Sequence, residues 1–474
     1  MSSTSNITSG FIDLATFDEL EKYLYGGSSA TAYFVRETRK ATWFTQVPVV
    51  LSRSNGNAEF NSDHSVNISR AGDYLLAAWL RVNFPQVSLA PTTAYGPNAR
   101  IRWTRNLMHN LVAECAVTFN DLVAARFDSY HLDFWAAFTV PAGKLNGYKN
   151  MIGDFDDLTG PHAPDPAAGP YDNAIPSFTL NLPLPFFFAR DSGVALPTAA
   201  LPYNEMRITY TFRNWNELLI LDDASLTVSP YSFVPTSADL NTGTPVLGPV
   251  QTWANYAIVS NDERKRMACA PRNILIEQCQ TAPLQTFAPA TNANPSYDLR
   301  FSHAIKVIFF SVRNVTIANE WSNYTCATPV PGTGGVNFNP SGAVDPIVST
   351  SLTYENTARL QNMGSDYFSL VQPWYHAPVI PLETGYHMYS YSLDFICLDP
   401  KGSTNYGKLT NVSISPQASA GALVGAAGSG VLGSGVNFAQ TYRFVCTVVN
   451  NNIIRISGGA STNLSAQKVI ACKG

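Results

Sequence analysis

Gly402-Ser-Thr-Asn-Tyr-Gly407-Lys408 has the spacing of a phosphate-cradling loop, G-x-x-x-x-G-K, in which backbone amides wrap the anion and the lysine meets its charge. That chemistry also needs Ser or Thr next, to hold magnesium, and Leu409 stands there. It needs a helix whose N-terminus faces the phosphates. Instead Leu409 to Ser415 alternates like a strand and runs into Pro416, so a tight turn between strands is expected. The histidines (His64, His109, His131, His162, His303, His376 and His387) stand apart, with no H-x-H or H-E-x-x-H to hold zinc. Asp154, Asp156 and Asp157 could hold a cation or supply a glycosidase carboxylate. One loop, however, does not set two carboxylates across a bond, and a solvated turn is expected. There is no G-x-S-x-G elbow. No catalytic, cofactor-binding or metal-ligating residue is assigned, and the chain reads as a non-enzyme.

The seven cysteines form no C-x-x-C pair. Cys115, Cys279 and Cys446 lie in apolar, strand-like runs where a free thiol behaves as a small hydrophobe, which suits a reducing compartment. The N-terminus shows no basic segment followed by an apolar one, so the six N-x-S/T sequons, Asn314 and Asn323 among them, are expected to be unused. No run suits a membrane span. The uncharged stretch 418–435 is rich in Gly and Ser and is expected to be a flexible loop.

Charged residues make up 14% of the 474-residue chain, well under the roughly 25% usual in soluble proteins. Much of its surface must therefore be covered by partners or made of neutral loops. A net charge of −4, with Arg264-Lys265-Arg266 as the densest basic run, leaves no surface for gripping nucleic acid.

The elements that must position these residues are mostly strands. Arg207 to Arg213 sets Ile208, Tyr210 and Phe212 against Arg207, Thr209, Thr211 and Arg213. Ala113 to Asn120 turns Cys115, Val117 and Phe119 inward, and Met388 to Cys397 does so with Tyr389, Tyr391, Leu393, Phe395 and Cys397. Period-two alternation between Pro/Gly turn signals indicates antiparallel β-sandwiches. One helix is expected over Phe17 to Tyr25, with Thr16 and Glu19 as a capping box and Gly26-Gly27 as its end. It reads either as docked on its own domain or as an arm reaching a neighbour or an underlying layer. Phe186-Phe187-Phe188 cannot all face one core from a regular strand, so one ring should point to a second domain or subunit, unless a long loop covers it.

Three pairs of segments recur in order. Trp79 to Val82 resembles Phe309 to Val312, and Val117 to Asp121 resembles Leu352 to Asn356. Arg207 to Phe212 resembles Arg443 to Val448. Offsets of 230 to 236 residues, near half the chain, suggest two copies of one β-domain. The expected division is an N-terminal arm with a short helix (1–45), a first copy (46–221), a linker (222–255), and a second copy with a C-terminal tail (256–474). Long loops such as the proline-rich stretch 159–176 should leave from strand ends.

The residues also resemble a known family. Ile7 to Glu21, Met108 to Val112, Gly147 to Leu158, Leu182 to Ile208, Asp298 to Lys306, Tyr354 to Phe368 and Gly402 to Asn411 are similar to the major capsid proteins of iridoviruses, among the nucleocytoplasmic large DNA viruses. The resemblance implies an all-β, tandem (double) jelly roll with long loops, and a structural role in an icosahedral virion capsid without cofactors. It further implies a homotrimeric, pseudo-hexagonal capsomer tiled with neighbouring capsomers and with minor capsid and penton proteins. The shell would enclose an inner viral membrane, close to the N-terminal side, and the DNA genome, and it would be assembled in the host cytoplasm. A lectin-like module using Trp321, Trp374 or Tyr375, and a β-sandwich hydrolase, are the competing readings.

Overall fold

The computed structural model of the chain describes residues 4–35, 38–90, 99–160, 162, 174–202, 204–223, 232–269, 272–326, 344–427, 439–457 and 460–463. The chain divides into two compact units, residues 1–44 and 45–474. The smaller unit holds two helices, α1 (Thr4–Ala15) and α2 (Glu19–Tyr25). The capping box belongs to Asp18 and Glu21, not to Thr16 and Glu19. Thr16 donates its hydroxyl back to the Asp13 carbonyl and so finishes α1, which leaves Asp18 to begin the next helix.

In the larger unit, the first half supplies β1 (Phe44–Val50), β2 (Asp63–Asn67), β3 (Tyr74–Phe84), β4 (Val112–Phe119), β5 (Leu122–Asp128), β6 (Phe178–Pro183), β7 (Met206–Phe212) and β8 (Val250–Val259). The second half supplies β9 (Arg272–Thr281), β10 (Tyr297–Asp298), β11 (Ala304–Asn314), β12 (Ile347–Tyr354), β13 (Thr357–Gly364), β14 (His387–Ser390), β15 (Val412–Ala418) and β16 (Tyr442–Ser457). Shorter strands extend the edges. The sheets run β1-β8-β3-β6 and β2-β7-β4-β5 in the first half, and β9-β16-β11-β14 and β10-β15-β12-β13 in the second. Each strand of the first half thus has a counterpart eight strands later, in the same place of the same sheet. This is a tandem jelly roll.

Alternation decides which faces are buried. Leu80, Val82, Ala254 and Tyr256 of one first-half sheet meet Val117, Ile208, Tyr210 and Phe212 of the other in one core. Ile308, Phe310, Phe444 and Val448 meet Leu352 and Ile414 in the second. Both β4–β5 and β12–β13 are joined by two-residue turns with positive φ at both positions: Asn120 (48°) and Asp121 (65°), Glu355 (47°) and Asn356 (63°). That backbone matches the right-handed twist of paired strands.

Two of the three repeated segments are true counterparts. Trp79 to Val82 and Phe309 to Val312 lie in β3 and β11, and the second pair forms the two hairpins. The third is not. Arg207 to Phe212 is β7, whose counterpart is β15, whereas Arg443 to Val448 belongs to β16. Half-buried strands share one alternation, so one strand passes for another.

Other expectations change as well. The stretch 222–255 is not free of strands: Leu219–Asp223 pairs with Ala99–Trp103, and β8 completes the first half's sheet. Residues 224–231 lie outside those described. The strand from Met388 stops at Ser390, and Leu393 is exposed. Pro416 lies inside β15 opposite Thr350, beyond the two residues that β10 pairs, so its missing N–H breaks no ladder there. Ala420–Ala426 is a helix capped by Ser419, while residues 428–438 are not described. Residues 161 and 163–173 of the expected long loop, and 464–474 of the tail, also lie outside the described residues.

Candidate functional site

The two sandwiches meet along a joint that begins at the end of β5. There the Asp128 carboxylate accepts the His131 amide at 2.9 Å and starts helix α3 (Ser129–Thr139). Leu132 turns into the first core, while Tyr130, Phe134 and Phe138 cross over and pack on the outer face of the β9-β16-β11-β14 sheet. They cover Val307, Phe309, Met388, Val445 and Val449. Phe309 stacks on both rings, with centroids 5.9 Å from Phe134 and 5.3 Å from Phe138. Each fully buried phenylalanine contributes up to about 3 kcal/mol relative to exposure.

Ion pairs flank this apolar strip. Three arginines of the first half each reach a glutamate of the second at 2.6 Å: Arg102 to Glu320, Arg105 to Glu383, and Arg190 to Glu277. Arg102 also lies 3.7 Å from Asp222, and Lys306 shares Glu277 with Arg190. Asp154, expected in a solvated turn, is instead buried beside Arg105 and Lys149. Burial alone would raise its pKa, but the two cations outweigh it and hold the carboxyl below the usual range. Asp133 accepts bonds from the hydroxyls of Ser322 (2.8 Å) and Tyr324 (2.9 Å), and pairs with His109 Nδ1 at 2.8 Å.

Trp321 is clamped between the sandwiches. Arg213 of the first half and Arg313 of the second lie over its ring, at 3.8 and 3.7 Å from the centroid. Burial holds the Arg213 guanidinium down to about 10, against the weaker pull of the Tyr130 hydroxyl. Trp321 is therefore part of the joint. Trp374 and Tyr375 are exposed, at 71% and 72%, on a helix running through residues 365–376.

Phe186, Phe187 and Phe188 are all buried, because a 3-10 turn spreads them as a strand could not. Phe186 and Phe187 line a small cleft with Glu277, Gln278 and Cys279 of the second half. A second cleft opens at the joint between His109, Asp133, Tyr148, Lys149 and Glu383. Its polar groups hold one another: Tyr148 meets His109 Nε2 at 2.6 Å, and Lys149 lies 3.5 Å from Glu383. Gly402 to Leu409 forms a short strand and a 3-10 turn in which the Asn405 side chain accepts the Gly407 amide, and a strand follows. Cys115 and Cys446 are buried free thiols, and Cys279 is a half-buried one; burial pushes all of them up. Among the described residues there is no group of side chains that could hold a metal.

The residues of α3 and the arginines of the joint escaped sequence reading, although the helix carried a signal that could have found it. Tyr130, Phe134 and Phe138 recur every four residues, the spacing of one helical face. The arginines give no such signal, since their partners lie 218, 278 and 87 residues away.

Such a site binds two β-sandwiches into one block. The chain matches a family model described as the major capsid protein N-terminus over residues 32–259, and one described as the large eukaryotic DNA virus major capsid protein over 263–462. It is 64% identical to the major capsid protein of Costelytra zealandica iridescent virus, over 97% of this chain and 98% of that one. Identity to that of Invertebrate iridescent virus 6 is 64%, over 97% and 98%. To that of Frog virus 3 (isolate Goorha) it is 46%, over 96% and 97%. The fold is similar to the PBCV-1 virus capsid (TM-score 0.70, 19% identity, 92% of this chain and 100% of that one). It is also similar to the Faustovirus major capsid protein (0.65, 12%, 93% and 94%). The chain belongs to the iridovirus major capsid proteins, the structural coat proteins of large DNA viruses.

Proposed function

We propose that the chain is a tile of an icosahedral shell and that three copies form one pseudo-hexagonal capsomer. The identical strand order of the two halves carries this reading. Three chains with two like sandwiches each present six like blocks around a three-fold axis, an outline that tiles a surface. In this reading the two sandwiches divide in the interval 260–271, between β8 and β9. The capsomers meet neighbouring capsomers and minor capsid and penton proteins, and the shell is assembled in the host cytoplasm. The N-terminal arm serves the inner viral membrane: Ile7, Phe11 and Leu14 are exposed and spaced as one helical face. The shell encloses DNA without this chain gripping it. Within its densest basic run, Arg264 is held 2.8 Å from Asp73.

Mass measurement of the purified chain in native buffer, followed by electron microscopy, tests the reading. Particles of three chains with hexagonal outline are expected, and a monomer at high concentration would overturn it.

A further inference from the structure

The joint inside the chain has an unused twin. Helix α3 follows β5; in the second half, β13 is followed by the helix 365–376. Counted from their first residues, Ser129 and Ser365, positions pair 236 apart, although residues 367–371 run as a π-helix and Tyr130 meets Asp366. Leu132, facing its own core, matches Phe368, which is buried in the second core. Phe134, Trp135 and Phe138, which cross to the other sandwich or lie at its edge, match Leu370, Val371 and Trp374. Those three are exposed, at 52%, 41% and 71%.

The surface that α3 covers has a twin too. Phe309 of β11 pairs with Thr447 of β16, and the same places in β3 and β8 hold Trp79 and Trp253. These two indoles stack on each other on the outer face of the first sheet, 6.1 Å apart and nearly parallel, and both are half-buried. One chain thus carries a helix with an uncovered apolar face and, separately, a sheet face bearing two tryptophans. In the second sandwich the equivalent of that sheet face is the seat of the equivalent helix.

We infer that the helix 365–376 of one copy packs on the Trp79–Trp253 face of the next copy, repeating between chains the joint that α3 makes within one. The occupant of each surface is therefore a second copy of this chain. The inference rests on the proposed association of three copies and names the surfaces through which it occurs. It needs no new chemistry: an apolar helix face covers an aromatic sheet face, with Trp374 as the buried anchor.

Native mass measurement of the full chain, unaltered and as Trp374→Glu, gives the first test. A wild-type monomer at every concentration overturns the three-copy reading and this one with it. If the wild type is trimeric, Trp374→Glu should weaken association about 30-fold or more, with the circular dichroism spectrum kept because the side chain is exposed. A variant as trimeric as the wild type overturns the inference while leaving the trimer standing. A second, independent measurement uses Trp253→Cys with Trp374→Cys and a short thiol cross-linker. Bridging between chains above the wild-type level, absent from either single variant, is expected. No bridging in an intact trimer would overturn the inference.

Discussion

The arginines of the joint are buried charges held by charges from the other sandwich, and their removal should be felt as lost charge balance. Arg102→Met takes the cation away from Glu320 and Asp222, whose side chains are 2% and 5% exposed. It should cost about 3–5 kcal/mol, read as a lowered urea midpoint. Glu320→Gln should cost less, because Asp222 still faces the guanidinium. His131 tests the effect of pH. Burial, with a smaller push from Arg190, lowers its pKa from 6.5 to about 3. The unfolded chain then takes up a proton near pH 6.5 that the folded chain refuses until about pH 3, so its contribution is full above 6.5 and is lost as pH falls. The slope from this one group is about 1.4 kcal/mol per pH unit below 6.5. His131→Phe keeps a ring against Trp135 and Phe127 and should flatten the melting temperature between pH 6.5 and 4.5. A variant as acid-sensitive as the parent would refute that assignment. At this scale little was legible in the sequence. The strands' inward residues, such as Ile208, Tyr210 and Phe212, could be named, but Arg102 and Glu320 are distant in sequence and their pairing exists only after folding.

Helix α3 joins the two sandwiches, and its aromatic face makes a graded prediction possible. Phe134→Ala removes a ring between Phe309, Tyr324 and Tyr386 and should destabilise the chain by about 3–5 kcal/mol, seen as a drop in melting temperature. Leu370→Ala, the matching change on the exposed helix, should leave the melting temperature of the isolated monomer unmoved. Elements were the most legible scale. Alternation located β4 and β7, and the hairpin after Phe119 matched that after Tyr354. Local pattern does not separate like strands or set boundaries: Arg207 to Phe212 of β7 resembles β16 although its counterpart is β15, and the capping box begins at Asp18, two residues after Thr16. Sheet neighbours, not local pattern, decide both.

For the whole molecule, the joint makes the two sandwiches depend on each other. Residues 260–463 expressed alone would bare Val307, Phe309, Met388, Val445 and Val449. They should aggregate or bind a hydrophobic dye strongly, whereas the full chain should melt in a single transition. Two widely separated transitions would show that the halves are independent. The duplication itself was visible in the sequence, but the interlock between copies was not, because it depends on a helix inserted after one strand. Trp321, pinned by one guanidinium from each side, has a mechanical corollary. A plate that cannot hinge along its midline must stay flat, so any bending of the finished shell has to collect at the creases where plates abut.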